Sequence, residues 1–200
     1  MEITTKKPAY KQAVGGKWDE IGKLQFVFLK KQGLEPNHKL LDIGCGSFRG
    51  GRFFVDYLNT GNYYGIDKNE KLINDGFVEI DKNKNPTIKA NSDFDFFRDV
   101  KFDYMLAFSV FTHIPIGEIK KCLISAKKSL KQKGKLYATF FEGIGDEIDL
   151  GIDGIKTHKN SDPYHYSFIE IKNLAKEVGF NVKKIKIKHP RKQKMLCFNK

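Results

Sequence analysis

The sequence predicts a single α/β domain built on a mostly parallel sheet, and three observations lead to this fold class. Short apolar segments typical of strands alternate along the chain with amphipathic segments typical of helices. Helical connections of this kind allow consecutive strands to lie parallel, with right-handed crossovers. The C-terminal residues differ, because two strand-like segments follow each other there across a short turn and predict an antiparallel hairpin.

The length and composition of the chain fit one such domain. The 200 residues weigh 23.0 kDa and 40% of them are hydrophobic, which is enough for one sizeable core. Residues 1–17 are polar and are predicted to form an N-terminal arm, which leaves residues 18–200 as one domain. We find no internal repeat and no linker that would divide it.

In the first half of the domain, helices alternate with strands. Apolar residues from Trp18 to Leu34 recur at helical spacing, and Gly33 and Pro36 mark the end of that helix. The segments that follow are assigned by the same criteria. They are a strand at 39–43, a helix around 53–58, a strand at 63–66, a helix at 72–80 and a weak strand at 87–90.

The second half begins with a strong strand prediction at 102–108. Pro115 suits a helix start, and an apolar stripe carries that helix to residues 133–134, before a strand at 135–141. Residues 142–164 are rich in glycine and aspartate and show no periodicity, so this long connection is interpreted as a lid or substrate loop. The last predicted elements are a helix at 168–178 and two strands at 180–188 and 195–198, joined at His189–Arg191.

The chain is strongly basic, with 36 lysine and arginine residues against 24 acidic ones and a formal net charge of +12. This excess could attract an anionic partner such as nucleic acid, or it could serve only solubility. Arginine is the usual reader of phosphates and bases, whereas all but four of the basic residues are lysines. We therefore favour solubility and keep a nucleic-acid partner as the alternative. The four arginines are Arg49, Arg52, Arg98 and Arg191.

Several features of the sequence bear on the location of the protein. No apolar run approaches the roughly 18–20 residues that a membrane span requires, and the N-terminal residues lack the apolar block of a secretory signal. Carboxylates and histidines do not cluster at metal-ligand spacing. The cysteines support neither a disulfide framework nor a zinc site, because they are widely spaced at Cys45, Cys122 and Cys197. We expect a cytoplasmic protein without a membrane span or a bound metal.

The glycine-rich segment LLDIGCGSFRGG at residues 40–51 carries the most chemical information. Glycines in a strand-to-helix turn let the backbone approach a ligand at the carboxyl end of the strand. The next strand ends in Asp67, where an acid can accept hydrogen bonds from both hydroxyls of a ribose. A dinucleotide site or a simple tight turn would also explain such a segment. The spacing is not GxGxxG, because Arg49 stands in place of the last glycine, and Asp42 suits an ammonium group better than a pyrophosphate.

In these residues the sequence resembles the class I S-adenosylmethionine-dependent methyltransferases. LLDIGCG is similar to the first motif of that family, YYGID to its acidic motif, FDYMLAFS to its fourth strand, and LKQKGKL to the segment before its fifth strand. The resemblance extends over about residues 20–200. It implies a Rossmann-like, seven-stranded, mostly parallel sheet with helices on both faces and a C-terminal antiparallel hairpin, in a small single-domain enzyme that uses S-adenosylmethionine.

The resemblance also implies roles for individual residues. Asp42 is expected at the methionine end of the cofactor, and the backbone of the glycine loop is expected to pack against it. Asp67 is expected to bind the ribose, with Lys68 beside the adenine. Residues after the third strand would reach the adenine amine, and residues after the fourth would line the methionine side. The full implied set is Asp42, Gly44, Cys45, Gly46, Arg49, Asp67, Lys68, Asn91, Ser92, Asp93, Phe108 and Ser109.

His113 is the candidate catalytic base. Methyl transfer is a direct displacement, and it needs a base only where the acceptor begins protonated, as a hydroxyl or ammonium group does. His113 follows the fourth predicted strand, on the side where acceptors arrive in such folds. A structural histidine near the start of the next helix is the alternative interpretation. Glu142, at the end of the fifth strand, is a second candidate, although a solvated loop carboxylate is the interpretation we favour there.

The acceptor is expected to be a small molecule that presents an oxygen or nitrogen nucleophile. The chain has no NPPY or DPPY segment after the fourth strand, the pattern that positions an amino group on a nucleobase or glutamine, and no appended nucleic-acid-binding module. Two alternatives remain. One is an RNA methyltransferase that uses the basic surface, and the other is a catalytically silent subunit that binds the cofactor and acts through a partner.

Overall fold

A mostly parallel β-sheet forms the centre of the structure, a computed structural model that describes residues 8–200. The strands are β1 (Leu40–Ile43), β2 (Tyr63–Asp67), β3 (Thr87–Ala90), β4 (Phe102–Ala107), β5 (Leu130–Glu142), β6 (Glu147–Asp149), β7 (Lys156–His158), β8 (His165–Tyr166), β9 (Asn181–Ile185) and β10 (Lys194–Asn199). The spatial order of the main strands is β3-β2-β1-β4-β5-β10-β9, and β8 pairs with β5 beyond this path.

Helices cover both faces of this sheet. They are α1 (Ala9–Ala13), α2 (Trp18–Lys31), α3 (Gly51–Tyr57), α4 (Glu70–Gly76), α5 (Ile116–Ser129) and α6 (Phe168–Val178). Successive strand residues point to opposite faces, so Leu40 packs with α2 and α3 whereas Leu41 packs with α5 and α6. Two apolar clusters result, one on each side of the sheet, and together they form the core.

The observed sheet confirms the predicted α/β class with its parallel strands and its antiparallel C-terminal pair. β1 pairs in parallel with β2 and β4, whereas β10 is antiparallel to both β5 and β9. The strand number differs from the expected seven, because β8 makes the main sheet eight-stranded and β6 pairs with β7 separately. These three strands are two or three residues long, too short to show a period in the sequence.

Two predicted boundaries also differ from the observed ones. The helix expected to reach residues 133–134 ends at Ser129, and β5 begins at Leu130 rather than at residue 135. Gly134 permits this course, because a Cβ atom there would lie 2.8 Å from the carbonyl oxygen of Phe102. The helix expected at 72–80 begins earlier as α4, since Asn69 caps it by accepting a hydrogen bond from the Leu72 amide, and it continues as a 3-10 turn at Phe77–Glu79.

The chain has no candidate membrane-spanning helix within residues 8–200: none of the helices there combines enough length with enough apolar character to cross a bilayer.

Candidate active site

The carboxyl ends of the parallel strands bring the predicted site residues to one edge of the sheet. The register places Asp42 of β1 opposite Gly65 of β2 and Leu106 of β4, and Asp67 opposite Ala90 at the end of β3. The connection between β9 and β10 reaches the same edge, because β10 begins opposite the end of β5. Open parallel sheets bind ligands at this edge.

The loop after β1 presents its backbone to the edge. Gly44 and Gly46 both have positive φ angles, and the amides of Gly44 and Cys45 donate to the carbonyl of Ile66 at 2.8 and 3.0 Å. The Cys45 thiol lies inside, against Gly65, and burial raises the pKa of this thiol. The Cys45 sulfur therefore belongs to the core. Phe48, which follows the glycines with φ of 65°, is buried against Phe77.

Asp67 is held beside this loop by two backbone donors. One carboxylate oxygen accepts from the Gly46 amide at 2.9 Å, and the other accepts from the Asn69 amide at 2.8 Å. An ionised carboxylate has about four lone-pair positions, so each oxygen keeps capacity for a further donor. Asp67 is half-buried at the surface of the loop, and the adjacent Lys68 is exposed.

The loop after β3 lies next to Asp67. The Asn91 amide donates to the Asp67 carbonyl at 2.8 Å, which joins the two strand ends. Inside the loop, the Asn91 side chain accepts from the Asp93 amide, and the Asp93 carboxylate accepts from the Asp95 amide, each at 3.2 Å. Ser92 and Asp93 are exposed, and the hydrogen bond from Asp95 lowers the pKa of Asp93. The structure thus brings these three residues to the side of the ribose-binding candidate.

Asp42 is a buried acid. Only 3% of it is exposed, and its carboxylate accepts a hydrogen bond from the Tyr63 hydroxyl at 2.8 Å. Burial raises the pKa of Asp42 to about 7, against the opposing effect of the Tyr63 hydrogen bond and the positive charge of Arg49. A cation that docks against this group would restore its ionised form.

Among residues 8–200, Arg49 is a buried cation without a carboxylate partner. It is 7% exposed, and its guanidinium donates to the carbonyls of Val14 and Gly16 at 2.6 and 3.0 Å. Within the described chain it forms no ion pair, and its buried Nε–H has no acceptor. Burial, followed by the charge of Arg191, lowers the pKa of Arg49 to about 10. Such a group is a ready partner for an incoming anion.

The N-terminal residues 8–17 lie over the glycine loop. Ser47 donates to the Tyr10 carbonyl at 2.9 Å, and Tyr10 donates to Glu79 at 2.7 Å. Val14 packs so tightly that a Cβ atom at Gly46 would lie 2.8 Å from its methyl group. Beneath them remains a cavity of about 30 Å³, lined by Val14, Gln25, Asp42, Gly44, Cys45, Arg49, Gly50 and Phe108.

Hydroxyl and amide groups organise the end of β4. The Ser109 amide donates to the Thr139 hydroxyl at 2.7 Å, and Ser109 has a φ of 61°. The Ser109 and Thr139 hydroxyls both donate to the side-chain oxygen of Gln193, at 3.0 and 2.6 Å. The Phe108 ring packs at a tilt against the His189 ring, with ring centres 5.2 Å apart. The predicted pair Phe108 and Ser109 therefore meets residues of the β9–β10 connection.

The structure leaves His113 exposed and Glu142 half-buried. The side chain of His113 is 52% exposed, and its Nδ1 lies 2.6 Å from a carboxylate oxygen of Asp162. His113 is not among the residues that line the 30 Å³ cavity. Glu142 pairs with Lys184 at 2.8 Å, on the sheet surface where β5 ends.

Three residues of this edge were not identified from the sequence as site candidates. His189, Arg191 and Gln193 belong to the connection between β9 and β10, which the sequence analysis treated as a turn between two strands. The sequence signal that could have marked them as site candidates is their polar character next to an alternating strand. Val14, also unassigned, reaches the site because the arm folds back over the glycine loop.

Comparison with solved structures finds the same architecture in methyltransferases. A magnesium protoporphyrin IX methyltransferase from Synechocystis, with bound S-adenosylmethionine, matches with a TM-score of 0.67 at 14% identity, over 91% of this chain and 79% of that chain. The CcbJ methyltransferase from Streptomyces caelestis gives 0.68 at 10% identity, over 89% and 88%. A S-adenosylmethionine-dependent methyltransferase from Clostridium acetobutylicum gives 0.64 at 14% identity, over 94% of each chain. At these identities the likeness establishes the fold.

A family model connects the sequence itself to this class. Residues 41–136 match the model described as a methyltransferase domain, a stretch that includes the glycine loop, Asp67 and the end of β4. This domain match, together with the shared fold, supports a class I S-adenosylmethionine-dependent methyltransferase.

Proposed function

We propose that the enzyme methylates a small molecule at an oxygen or nitrogen nucleophile. The main support for this proposal is that side chains cover the carboxyl edge of the sheet. A polymer substrate would need an open groove there. The arm lies over the glycine loop, and Asp153 of the 142–164 segment pairs with Arg191 at 3.1 Å. The related structures include an enzyme named for magnesium protoporphyrin IX, itself a small molecule, which supports this class of acceptor.

The cofactor fits the charges and donors of this edge. We assign the ribose hydroxyls to Asp67, the adenine to the side of Lys68 and the loop Asn91–Asp93, and the main chain of Gly44–Gly46 to the face of the cofactor. The methionine end carries an ammonium and a carboxylate group. The buried, oppositely charged Asp42 and Arg49 line one cavity and match these two groups.

The arm has to move before the cofactor can enter. A water molecule needs roughly 10–15 Å³ of such space, so the cavity of about 30 Å³ has room for only a few atoms. Arg49 now holds the Val14 and Gly16 carbonyls, and a carboxylate would compete for those donors. We propose that residues 8–17 open for binding and then close over the cofactor, while residues 142–164 act as the lid on the acceptor side.

The residues of the chain contribute alignment and proton handling. When bound, the cofactor supplies a methyl group on a positively charged sulfur, which becomes a neutral thioether after the transfer. Phe108 and Ser109 would line the methionine end, and a closed lid would exclude water. For acceptors that begin protonated, His113 is the proposed base. Its contact with Asp162 orients the ring with Nδ1 toward the carboxylate, which leaves Nε2 to accept the proton.

Transfer of an isotope-labelled methyl group tests this function. The purified enzyme would be incubated with labelled S-adenosylmethionine in two separate reactions. One reaction contains a metabolite extract, and the other contains total RNA. We expect label in a low-molecular-weight product. Label in RNA would replace the small-molecule proposal with RNA methylation. Saturable cofactor binding without transfer to either fraction would favour the silent-subunit alternative.

A further inference from the structure

The connection between β9 and β10, residues 186–193, places polar groups at the carboxyl edge that the proposed cofactor site does not use. His189 and Gln193 are 8% and 5% exposed, although both side chains are polar. They lie beside Phe108 and Ser109, where the methionine end of the cofactor meets the acceptor side. Their position makes them candidates for contact with the acceptor.

In the described part of the chain, His189 is a buried donor without an acceptor. Its Nδ1 accepts a hydrogen bond from the Arg191 amide at 3.1 Å, so in the neutral ring the proton sits on Nε2. Nε2 is buried and has no hydrogen-bond partner among residues 8–200. Burial and the charges of Arg49 and Arg191 lower the pKa of His189 to about 4, which keeps the ring neutral at physiological pH. The Nε2 end of this imidazole is thus a buried N–H without an acceptor among residues 8–200.

The surroundings of His189 are electrically positive. Arg191 is close enough to act on the pKa of both His189 and Arg49. The Arg191 guanidinium also binds Asp153 of the lid segment and the carbonyl of Gly15 in the arm. Both of these partners belong to the segments proposed to open. When they withdraw, the guanidinium is released within electrostatic range of the His189 ring.

Gln193 fixes the geometry of this region. Its side-chain oxygen accepts from two hydroxyls, Ser109 and Thr139, which ties the β9–β10 connection to the ends of β4 and β5. Phe108, packed against His189, provides an apolar wall beside the donors and also lines the cavity at Asp42. Donors held rigidly by a second layer of hydrogen bonds bind an oxyanion with little reorganisation.

We propose that His189 and Arg191 form an oxyanion subsite for the methyl acceptor, so that the acceptor is an acid that carries a carboxylate or phosphoryl group. The inference rests on the proposed function, because it deepens the assignment of the acceptor site. The subsite is separate from the cofactor carboxylate, which has Arg49 as its partner. The acidic group anchors the acceptor, and the apolar wall at Phe108 accommodates its carbon skeleton.

Matched acidic and neutral probes test this subsite on protein saturated with S-adenosylhomocysteine. The probes are benzoate, phenyl phosphate and benzamide, which share a ring and differ in charge. We expect at least one of the two acids to bind saturably and about tenfold or more tightly than benzamide. The preferred acid identifies the group as carboxylate or phosphoryl. The ¹⁵N resonances of His189 should shift on binding, because its Nε2–H gains an acceptor.

Substitutions connect the effect to the two residues. His189→Phe removes the donor, Arg191→Gln removes the charge, and both should reduce the preference for the acid to less than threefold. His189→Gln retains an N–H donor and should retain part of the preference for the acid. This variant keeps the test decisive if His189→Phe does not fold. His38→Phe is the matched control, since His38 also accepts a backbone amide, from Glu35 at 3.0 Å, but precedes β1 at the opposite edge of the sheet.

The outcomes separate this inference from the function beneath it. If S-adenosylhomocysteine does not bind, the proposed function fails. If it binds while benzoate and phenyl phosphate bind no better than benzamide, only the oxyanion subsite is refuted. If the His189 and Arg191 variants lose cofactor affinity as strongly as probe affinity, these residues belong to the cofactor site and the inference is overturned.

Discussion

Replacement of Arg49 by methionine should weaken cofactor binding without lowering the thermal stability of the cofactor-free protein. Arg49 is buried, and both its burial and the nearby charge of Arg191 disfavour its charged form. Arg49 has no ion-pair partner in the described chain, whereas Arg191 pairs with Asp153. The shift of its pKa from 12.5 to about 10 corresponds to about 3 kcal/mol against the charged form. Methionine has a similar length and no charge. Arg49→Met should therefore leave the thermal midpoint of the cofactor-free protein unchanged or raise it slightly.

Cofactor affinity should change in the opposite direction. A hydrogen-bonded charge pair between the guanidinium and the methionine carboxylate contributes about 1.5–3 kcal/mol, so Arg49→Met should raise the Kd of S-adenosylhomocysteine about tenfold to a hundredfold. Calorimetry with S-adenosylhomocysteine and with its decarboxylated analogue isolates the carboxylate. The wild type should prefer the carboxylated ligand, and the variant should bind both with similar affinity.

Arg52→Met is the control for this experiment. Arg52 lies three positions away and pairs with Asp19 at 2.6 Å instead of facing the cavity. Its replacement should leave the preference for the carboxylated ligand intact. The assignment of Arg49 is refuted if Arg49→Met weakens both ligands equally, or if the preference persists in that variant.

Three further predictions concern the other site residues. Asp67→Asn keeps one oxygen for the Asn69 amide but loses the ionised acceptor of the ribose, so the Kd of S-adenosylhomocysteine should rise about tenfold to a hundredfold by calorimetry; an unchanged Kd would exclude Asp67 from ribose binding. The pKa of Asp42 near 7 means that the free protein holds a proton there below that pH, whereas the bound ammonium group favours the ionised acid. Affinity should therefore rise with pH up to about 7 with proton release, and Asp42→Asn should remove this dependence; a parallel pH profile in the variant would contradict the assignment. His113→Ala should retain cofactor affinity and lower turnover about a hundredfold, with loss of one limb of the pH–rate profile; unchanged turnover would make His113 structural.

Local sequence patterns were sufficient for the parts of the fold that repeat a simple period. The alternation of apolar strands and amphipathic helices predicted the parallel sheet, because each βα unit buries its own apolar face on the same sheet. The segment after β1 and the acid that ends β2 are adjacent through strand pairing, so Asp42 and Asp67 could be placed at one edge in advance. The strands β6, β7 and β8 escaped detection, because two or three residues contain no period.

The protonation of buried groups depended on the tertiary structure. The sequence predicted Asp42 and Arg49 as neighbours of a ligand. Only the packed structure gives Asp42 a pKa near 7 and leaves Arg49 without a carboxylate partner among residues 8–200. Desolvation is a property of the packed environment, to which residues distant in the chain contribute. Desolvation therefore cannot be predicted from composition or from the spacing of motifs.

The tertiary structure likewise decided which distant segments meet at the carboxyl edge. Residues 8–17 fold back over Gly46, and the connection before β10 brings His189 against Phe108, with more than eighty positions between these two rings in the chain. The sequence by itself predicted the order of the main strands and helices, the candidate cofactor loop and the candidate ribose acid, because those features arise within one or two adjacent elements. Contacts between the arm, the lid segment and the C-terminal pair arise from long-range packing, so only the folded chain reveals the cover over the site and the unsatisfied donors beneath it.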